Sequence, residues 1–182
     1  MSSIIVQLFR HWLEKPPQWL QFTLFVGCYS LLDYGYLQVP NTAFAEVIYF
    51  HGVSKPCAEL INWLSPLEQV MARQNHILSG KADLEIVRGC DGAGVLFLLI
   101  SAIVVFPSTW RHKLIGLVMG IALPYALNLL RVIGLYYVIA YYPAYFLLIH
   151  TYLAPTFMVI VGCGYFFAWA LTTSIRSEHE ST

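Results

Sequence analysis

The sequence predicts an all-α integral membrane protein with about four transmembrane helices and one extracytoplasmic segment. Two observations carry this. Hydrophobic residues make up 58% of the 182 residues and charged residues only 11%, far from the roughly 25% charge of an ordinary soluble domain. The apolar residues also fall into long windows without a formal charge, the pattern of bilayer spans. Lys plus Arg and Asp plus Glu both number 10, so a basic nucleic-acid binder is excluded. So is a disordered chain, which needs more charge and less apolar content.

The windows set the elements in order. Pro16 to Leu32 is uncharged and the apolar pattern runs past Asp33 to Val39. Gly92 to Trp110 is a second window and Leu114 to Leu130 a third, ended by Arg131. Val132 to Ile175 is a run of 44 residues without Asp, Glu, Lys or Arg. At ~1.5 Å per residue this run is about twice the ~30 Å hydrocarbon thickness. It must therefore fold back, and Tyr141-Tyr142-Pro143 is the expected place because the residue before proline leaves the helical region. The expected spans are 18–38, 91–107, 113–140 and 151–174, within a single domain over 1–182.

Short-flank lysines and arginines orient the chain. Arg10, Lys15, Arg111, Lys113 and Arg176 fall on one side, and the 141–150 turn has none. The positive-inside rule then puts both termini in the cytoplasm and residues 40–90 outside. No small-residue cleavage site follows the first apolar run, so a cleavable signal peptide is not expected. Within 40–90, Ala43 to Phe50 and Cys57 to Leu67 have helical apolar spacing, as expected of amphipathic helices on the membrane surface. His76 to Val87 reads as a hairpin around Ser79-Gly80-Lys81.

Three residues stand out chemically. Cys90 precedes Asp91-Gly92-Ala93-Gly94 at a predicted helix start, where the helix dipole favours a thiolate. Asp91 opposes that effect and Arg88 offsets it. Arg131 interrupts an apolar run 18 residues after Lys113, about 27 Å along a helix at ~1.5 Å per residue. That is the outer edge of the bilayer, where a charge is costly unless it snorkels or is used. Asn128 shares its helix face, and Pro124 is a candidate kink. His150 opens the predicted fourth helix. Each has a plainer explanation, respectively a small buried thiol, a snorkelling arginine and an interfacial histidine. Their convergence at one depth argues for a site, with Cys90 as nucleophile, His150 as acid–base and Arg131 as oxyanion stabiliser for acyl transfer. Asn128 and Asp33 are supporting candidates, Asp33 as an ion-pair partner for Arg131. His51 and His76 are competing outer histidines, whereas His11, His112 and His179 fall on the cytoplasmic side.

Gly89-Cys90-Asp91-Gly92 at a helix start, Asn128-Leu129-Leu130-Arg131-Val132 in the next span and a histidine opening the last resemble the exosortase/archaeosortase family over roughly 85–165. A histidine in the third position is similar to the bacterial branch, and the short chain to its small types, such as H and M. The resemblance implies a multi-spanning cysteine transpeptidase or protease of the bacterial inner membrane. Its implied partners are membrane-anchored proteins carrying a C-terminal sorting signal, formed of a motif, one transmembrane helix and a basic end. The implied cleavage leaves an acyl-enzyme on Cys90, resolved by an amine or by water.

Two other classes compete. A membrane thiol oxidoreductase needs paired thiols, but Cys28, Cys57, Cys90 and Cys163 are dispersed, and only a Cys57–Cys90 bridge is topologically open. A non-enzymatic subunit of a membrane complex would use Arg131 for a structural ion pair. No metal-ligand spacing is present and no cofactor is expected.

Overall fold

Proline and glycine divide the apolar chain into its helices. In the computed structural model, which describes residues 17–40, 44–89 and 91–179, Pro17 precedes the first helix, α1 (Gln18–Gln38). A π-helical segment, Phe44–Ser54, runs into α2 (Lys55–Leu64), with Pro56 in its first turn, where a missing N–H costs nothing. Three short strands come next, β1 (Met71–Arg73), β2 (His76–Leu78) and β3 (Asp83–Glu85). Gly92, with φ of 79°, starts α3 (Ala93–Val105), which stops before Pro107. The last two helices are α4 (Trp110–Tyr141) and α5 (Ala154–His179).

The predicted 18–38 helix coincides with α1, and α4 extends the predicted 113–140 span at both ends. The second predicted span, 91–107, is shorter than expected, since the left-handed Gly92 delays its start. Among the described residues, two helical stretches are long and apolar enough to cross a membrane, Trp110–Tyr141 and Pro143–Thr172. Of the four expected spans, two meet that test among the described residues. α3 is apolar, but its 13 residues give about 20 Å at ~1.5 Å each, less than the ~30 Å hydrocarbon. α1 is long enough, but Gln18, Gln21, Asp33 and Gln38 dilute its apolar content.

The fold-back falls where expected, since α4 ends at Tyr141 and Pro143 opens a single tight turn. Past that turn the chain departs from expectation. Residues 146–148 are already helical and Ile149–Leu153 is π-helical, so His150 sits in a widened turn ahead of α5 rather than opening it. Such wide turns recur at functional sites.

A stripe of residues four apart on α4 sets the bundle. Gly116, Gly120, Pro124, Asn128 and Val132 are all buried, and α4 runs through Pro124 unbroken. Small residues at this spacing let helices approach closely. A Cβ at Gly116 would lie 2.4 Å from the Trp169 indole nitrogen, and one at Gly120 would lie 2.9 Å from Ile103. α5 and α3 meet at Gly162, where a Cβ would come within 3.1 Å of Val95.

Beyond Asn128 the stripe enters a different environment. Val132, Ile133, Leu135 and Tyr136 join Ile61 of α2, Ile77 of β2 and Leu84 of β3 in one buried core. The expected hairpin is therefore a three-stranded antiparallel sheet in the order β1-β2-β3, with Ala72 opposite Ile77 and Ile77 opposite Leu84. Polar side chains fix this sheet to α4. Lys81 donates to Glu68 Oε1 at 2.8 Å and to the Tyr141 hydroxyl at 2.7 Å. The Tyr136 and Tyr141 hydroxyls both donate to Glu68, so its carboxyl is held down to about pKa 2, first by Lys81 and then by the two tyrosines.

Candidate active site

The start of α3 is tied down from both sides. Asp91 accepts a hydrogen bond from the Ala93 amide at 3.2 Å, using one of the helix's first free N–H groups. Its other oxygen accepts from the Tyr36 hydroxyl on α1. Arg88, expected to offset Asp91, instead caps the end of α1, donating to the carbonyls of Tyr36, Leu37 and Val39 at 3.2, 3.1 and 2.8 Å. It also lies over the Tyr36 ring, 5.3 Å from its centroid. A cation at a helix C-terminus is favourable for the same reason an anion is at an N-terminus. Tyr49 of the π-helical segment is buried beside this brace, within electrostatic reach of Tyr36 and Arg88.

Cys90 lies outside the described residues. Its neighbour Asp91 is placed by the brace, and Gly92 packs directly on Asn128. A Cβ at Gly92 would lie 3.2 Å from Asn128 Cγ and Oδ1 and 3.2 Å from Met158 Cε. The start of α3, the middle of α4 and the first turns of α5 therefore meet at one point. Asn128 is 1% exposed. Both its amide atoms are buried without a hydrogen-bond partner among the described residues.

One turn up α4, Arg131 is half-buried, at the boundary between the apolar stripe and the core shared with the sheet. It lies within electrostatic reach of the His150 imidazole, which is on the other side of the Pro143 turn. The His150 ring stacks on Phe146 at 5.1 Å with an 18° tilt. Asp33 does not join them. It is half-buried on α1, which packs against α3, and makes no ion pair with Arg131. The ion pairs among the described residues are His76–Asp83 and Lys81–Glu68.

The competing residues have other employment. His76 is held by Asp83 at 2.9 Å, and His51 is exposed against Phe50. His112 stacks on Trp169, far along α4 from Arg131. Cys57 is a free, fully buried thiol whose Sγ lies 3.8 Å from the Leu129 carbonyl. Burial pushes its pKa up to about 12, which keeps it protonated and unreactive. Cys28 and Cys163 are also free, on α1 and α5.

Sequence reasoning passed over Tyr36, Met158 and the packing of Gly92 on Asn128. The four-residue spacing of small residues on α4, continued to Asn128, is the signal that could have found the Gly92 contact. Tyr36 carries no comparable signal, because its role appears only once Asp91 is placed.

A cavity of about 470 Å³ lies alongside, walled by α1, the π-helical segment, α3 and α4. Asp91, Gly92 and Asn128 form one part of its wall, and Tyr36, Val53 and Phe97 another.

No curated protein and no solved structure significantly matches the chain. A family model described as transmembrane exosortase (Exosortase_EpsH) matches residues 36–171. That range covers most of the chain, from the Tyr36 brace through Asn128, Arg131 and His150 into α5. The protein is a membrane protein and belongs to the transmembrane exosortase family.

Proposed function

We propose that this protein is a cysteine transpeptidase or protease that cleaves C-terminal sorting signals of exported, membrane-anchored proteins at the outer face of the bacterial inner membrane. Both termini are cytoplasmic in this reading, as the lysine and arginine flanks require. The observation that supports it is the family match over residues 36–171, a range that includes Cys90, Arg131 and His150, with Arg131 within electrostatic reach of His150.

The chemistry balances on three side chains. His150 takes the Cys90 thiol proton and the thiolate attacks the scissile carbonyl carbon, whose π electrons move to oxygen. Arg131 stabilises that oxyanion, a contribution of ~10²–10³ in rate for one donor. The intermediate collapses, the C–N bond breaks, and the leaving amine takes the proton from the imidazolium, a step worth ~10²–10⁴. The acyl group then sits on Cys90 as a thioester. A second amine, or water, attacks it and regenerates the thiol.

The test is to trap that thioester. Wild type co-expressed with a tail-anchored substrate should yield a covalent adduct on Cys90, seen by mass spectrometry and released by neutral hydroxylamine. Cleavage with no adduct on Cys90, and with hydroxylamine having no effect, would overturn the acyl-enzyme.

A further inference from the structure

We infer that the outer edge of β3 is a peptide-docking edge, on which the exported-side segment of the substrate adds as a fourth strand running parallel to β3. This rests on the proposed function above, and it names how the substrate is held next to its scissile bond.

The sheet order β1-β2-β3 leaves β3 bonded to one neighbouring strand. The register fixes which of its backbone groups are spent. Leu84 lies opposite Ile77, the Ile86 amide donates to the Asn75 carbonyl at 2.7 Å, and the Ser79 amide donates to the Ala82 carbonyl at 2.9 Å. Backbone groups alternate in direction along a strand. Ala82, Leu84 and Ile86 therefore turn theirs toward β2, and Asp83, Glu85 and Val87 turn theirs away. Among the described residues no backbone hydrogen bond reaches these outward groups. All three residues are exposed, while Leu84 and Ile86 beside them are buried. The opposite side of the sheet is closed differently. Just before β1, the Asn62 carboxamide donates to the Val70 carbonyl at 2.8 Å and accepts from the Val70 amide at 2.7 Å, standing in for a neighbouring strand.

An edge with unpaired N–H and C=O groups is a template for an added strand. Two features select the occupant. The first is direction. β3 leads through Arg88 and Gly89 to Cys90 and on into α3. Three residues separate Val87 from the nucleophile, a reach of at most about 11 Å at ~3.6 Å per residue. The substrate runs from its exported part through the scissile bond to its membrane helix, so a segment that ends at Cys90 lies parallel to β3. The second is charge. Asp83 and Glu85 are held by His76 at 2.9 Å and by Asn75 at 3.2 Å, each through one carboxylate oxygen. Basic or hydroxyl side chains on the added strand complement this acidic pair, and acidic ones are repelled. A second copy of this chain would set the same carboxylates against its own, which disfavours pairing of β3 with itself.

The test is residue-resolved hydrogen exchange of the full chain in detergent, with acetyl-Lys-Thr-Lys-Thr-Val amide at millimolar concentration as the probe. Without peptide, the Leu84 and Ile86 amides should exchange slowly and those of Glu85 and Val87 fast. The peptide should slow Glu85 and Val87 severalfold. In a parallel pair a residue bonds to the two neighbours of the residue opposite it. With the lysines opposite Asp83 and Glu85, N-methylation of both threonines should therefore abolish the protection, and N-methylation of the second lysine should leave it. Acetyl-Glu-Thr-Glu-Thr-Val amide should bind roughly tenfold more weakly, the effect of two cross-strand charge pairs. Its disadvantage should reverse in Asp83→Lys/Glu85→Lys. No protection by the parent peptide, indifference to where it is methylated, or the opposite dependence on methylation would overturn the inference. So would Glu85 and Val87 amides already slow without peptide, and a slowing that grows with protein concentration would make the edge a self-association site. The exchange needs no thiol and should be the same in Cys90→Ala. Edge protection without any thioester would defeat the proposed function alone, and a thioester without edge protection would defeat this inference alone.

Discussion

Gly92 faces the Asn128 side chain closely enough that a methyl group on Gly92 would press against the carboxamide. A Cβ on Gly92 would sit 3.2 Å from both Cγ and Oδ1 of Asn128. Gly92 also has φ of 79°, where side chains other than glycine are strained. This close packing sets the start of α3 against α4.

Gly92→Ala should therefore destabilise the protein by about 1–3 kcal/mol, the cost of a non-glycine residue held in a left-handed conformation. Substrate processing should fall further than folded protein does. Thermal unfolding followed by size-exclusion chromatography, set beside processing at matched protein levels, checks this. Gly94→Ala, where a Cβ meets nothing within 4 Å, should be tolerated.

Arg131→Lys should keep the charge and lose the planar fork. Processing should fall by ~10²–10³, as for loss of a transition-state donor. Single-turnover rates with equal expression of both forms measure it. Near-normal rates for the lysine variant would remove the geometric role of the guanidinium.

Cys57 should resist alkylation in the folded protein, since burial pushes its thiol up to about 12. Iodoacetamide at pH 8 should modify it only after denaturation, as peptide mapping would show. Cys28→Ser and Cys163→Ser should leave processing largely intact.

Glu68 should make the sheet's attachment to α4 sensitive to acid. Its carboxyl falls from the ordinary 4.5 to about 2 in the fold, chiefly through Lys81. A depressed carboxyl contributes stability that is complete above its unfolded value and is lost as pH falls from near 4.5 toward 2. Glu68→Gln should lower stability at neutral pH and flatten its decline across that window. Hydrogen exchange of β2 and β3 amides between pH 6 and pH 3 is the measurement. An unchanged pH profile in the variant would count against the cluster.

The helices of this fold were legible because the apolar windows and their bounding prolines act locally. Pro17, Pro107 and Pro143 mark ends that α1, α3 and α4 respect. β1 was not legible, since the Gln74-Asn75 turn lacks the glycine that signals a tight hairpin, although Gln74 adopts φ of 53°. Of the candidate site, matching depth along two helices was all that the sequence offered for Arg131 and His150. The failure of Asp33 to reach Arg131 was not legible, because depth says nothing of lateral order, and α1 packs on α3 instead. The Tyr36–Asp91 bond and the burial of Asn128 against Gly92 are also lateral facts, fixed by packing among helices.

The proposed chemistry depends most directly on Cys90. A tail-anchored candidate substrate should be co-expressed with wild type, Cys90→Ala and Cys57→Ala, and its size followed on a gel. Cleavage by wild type and Cys57→Ala, lost only in Cys90→Ala, is the predicted result. Cleavage that survives Cys90→Ala would contradict a thiol nucleophile and the mechanism built on it.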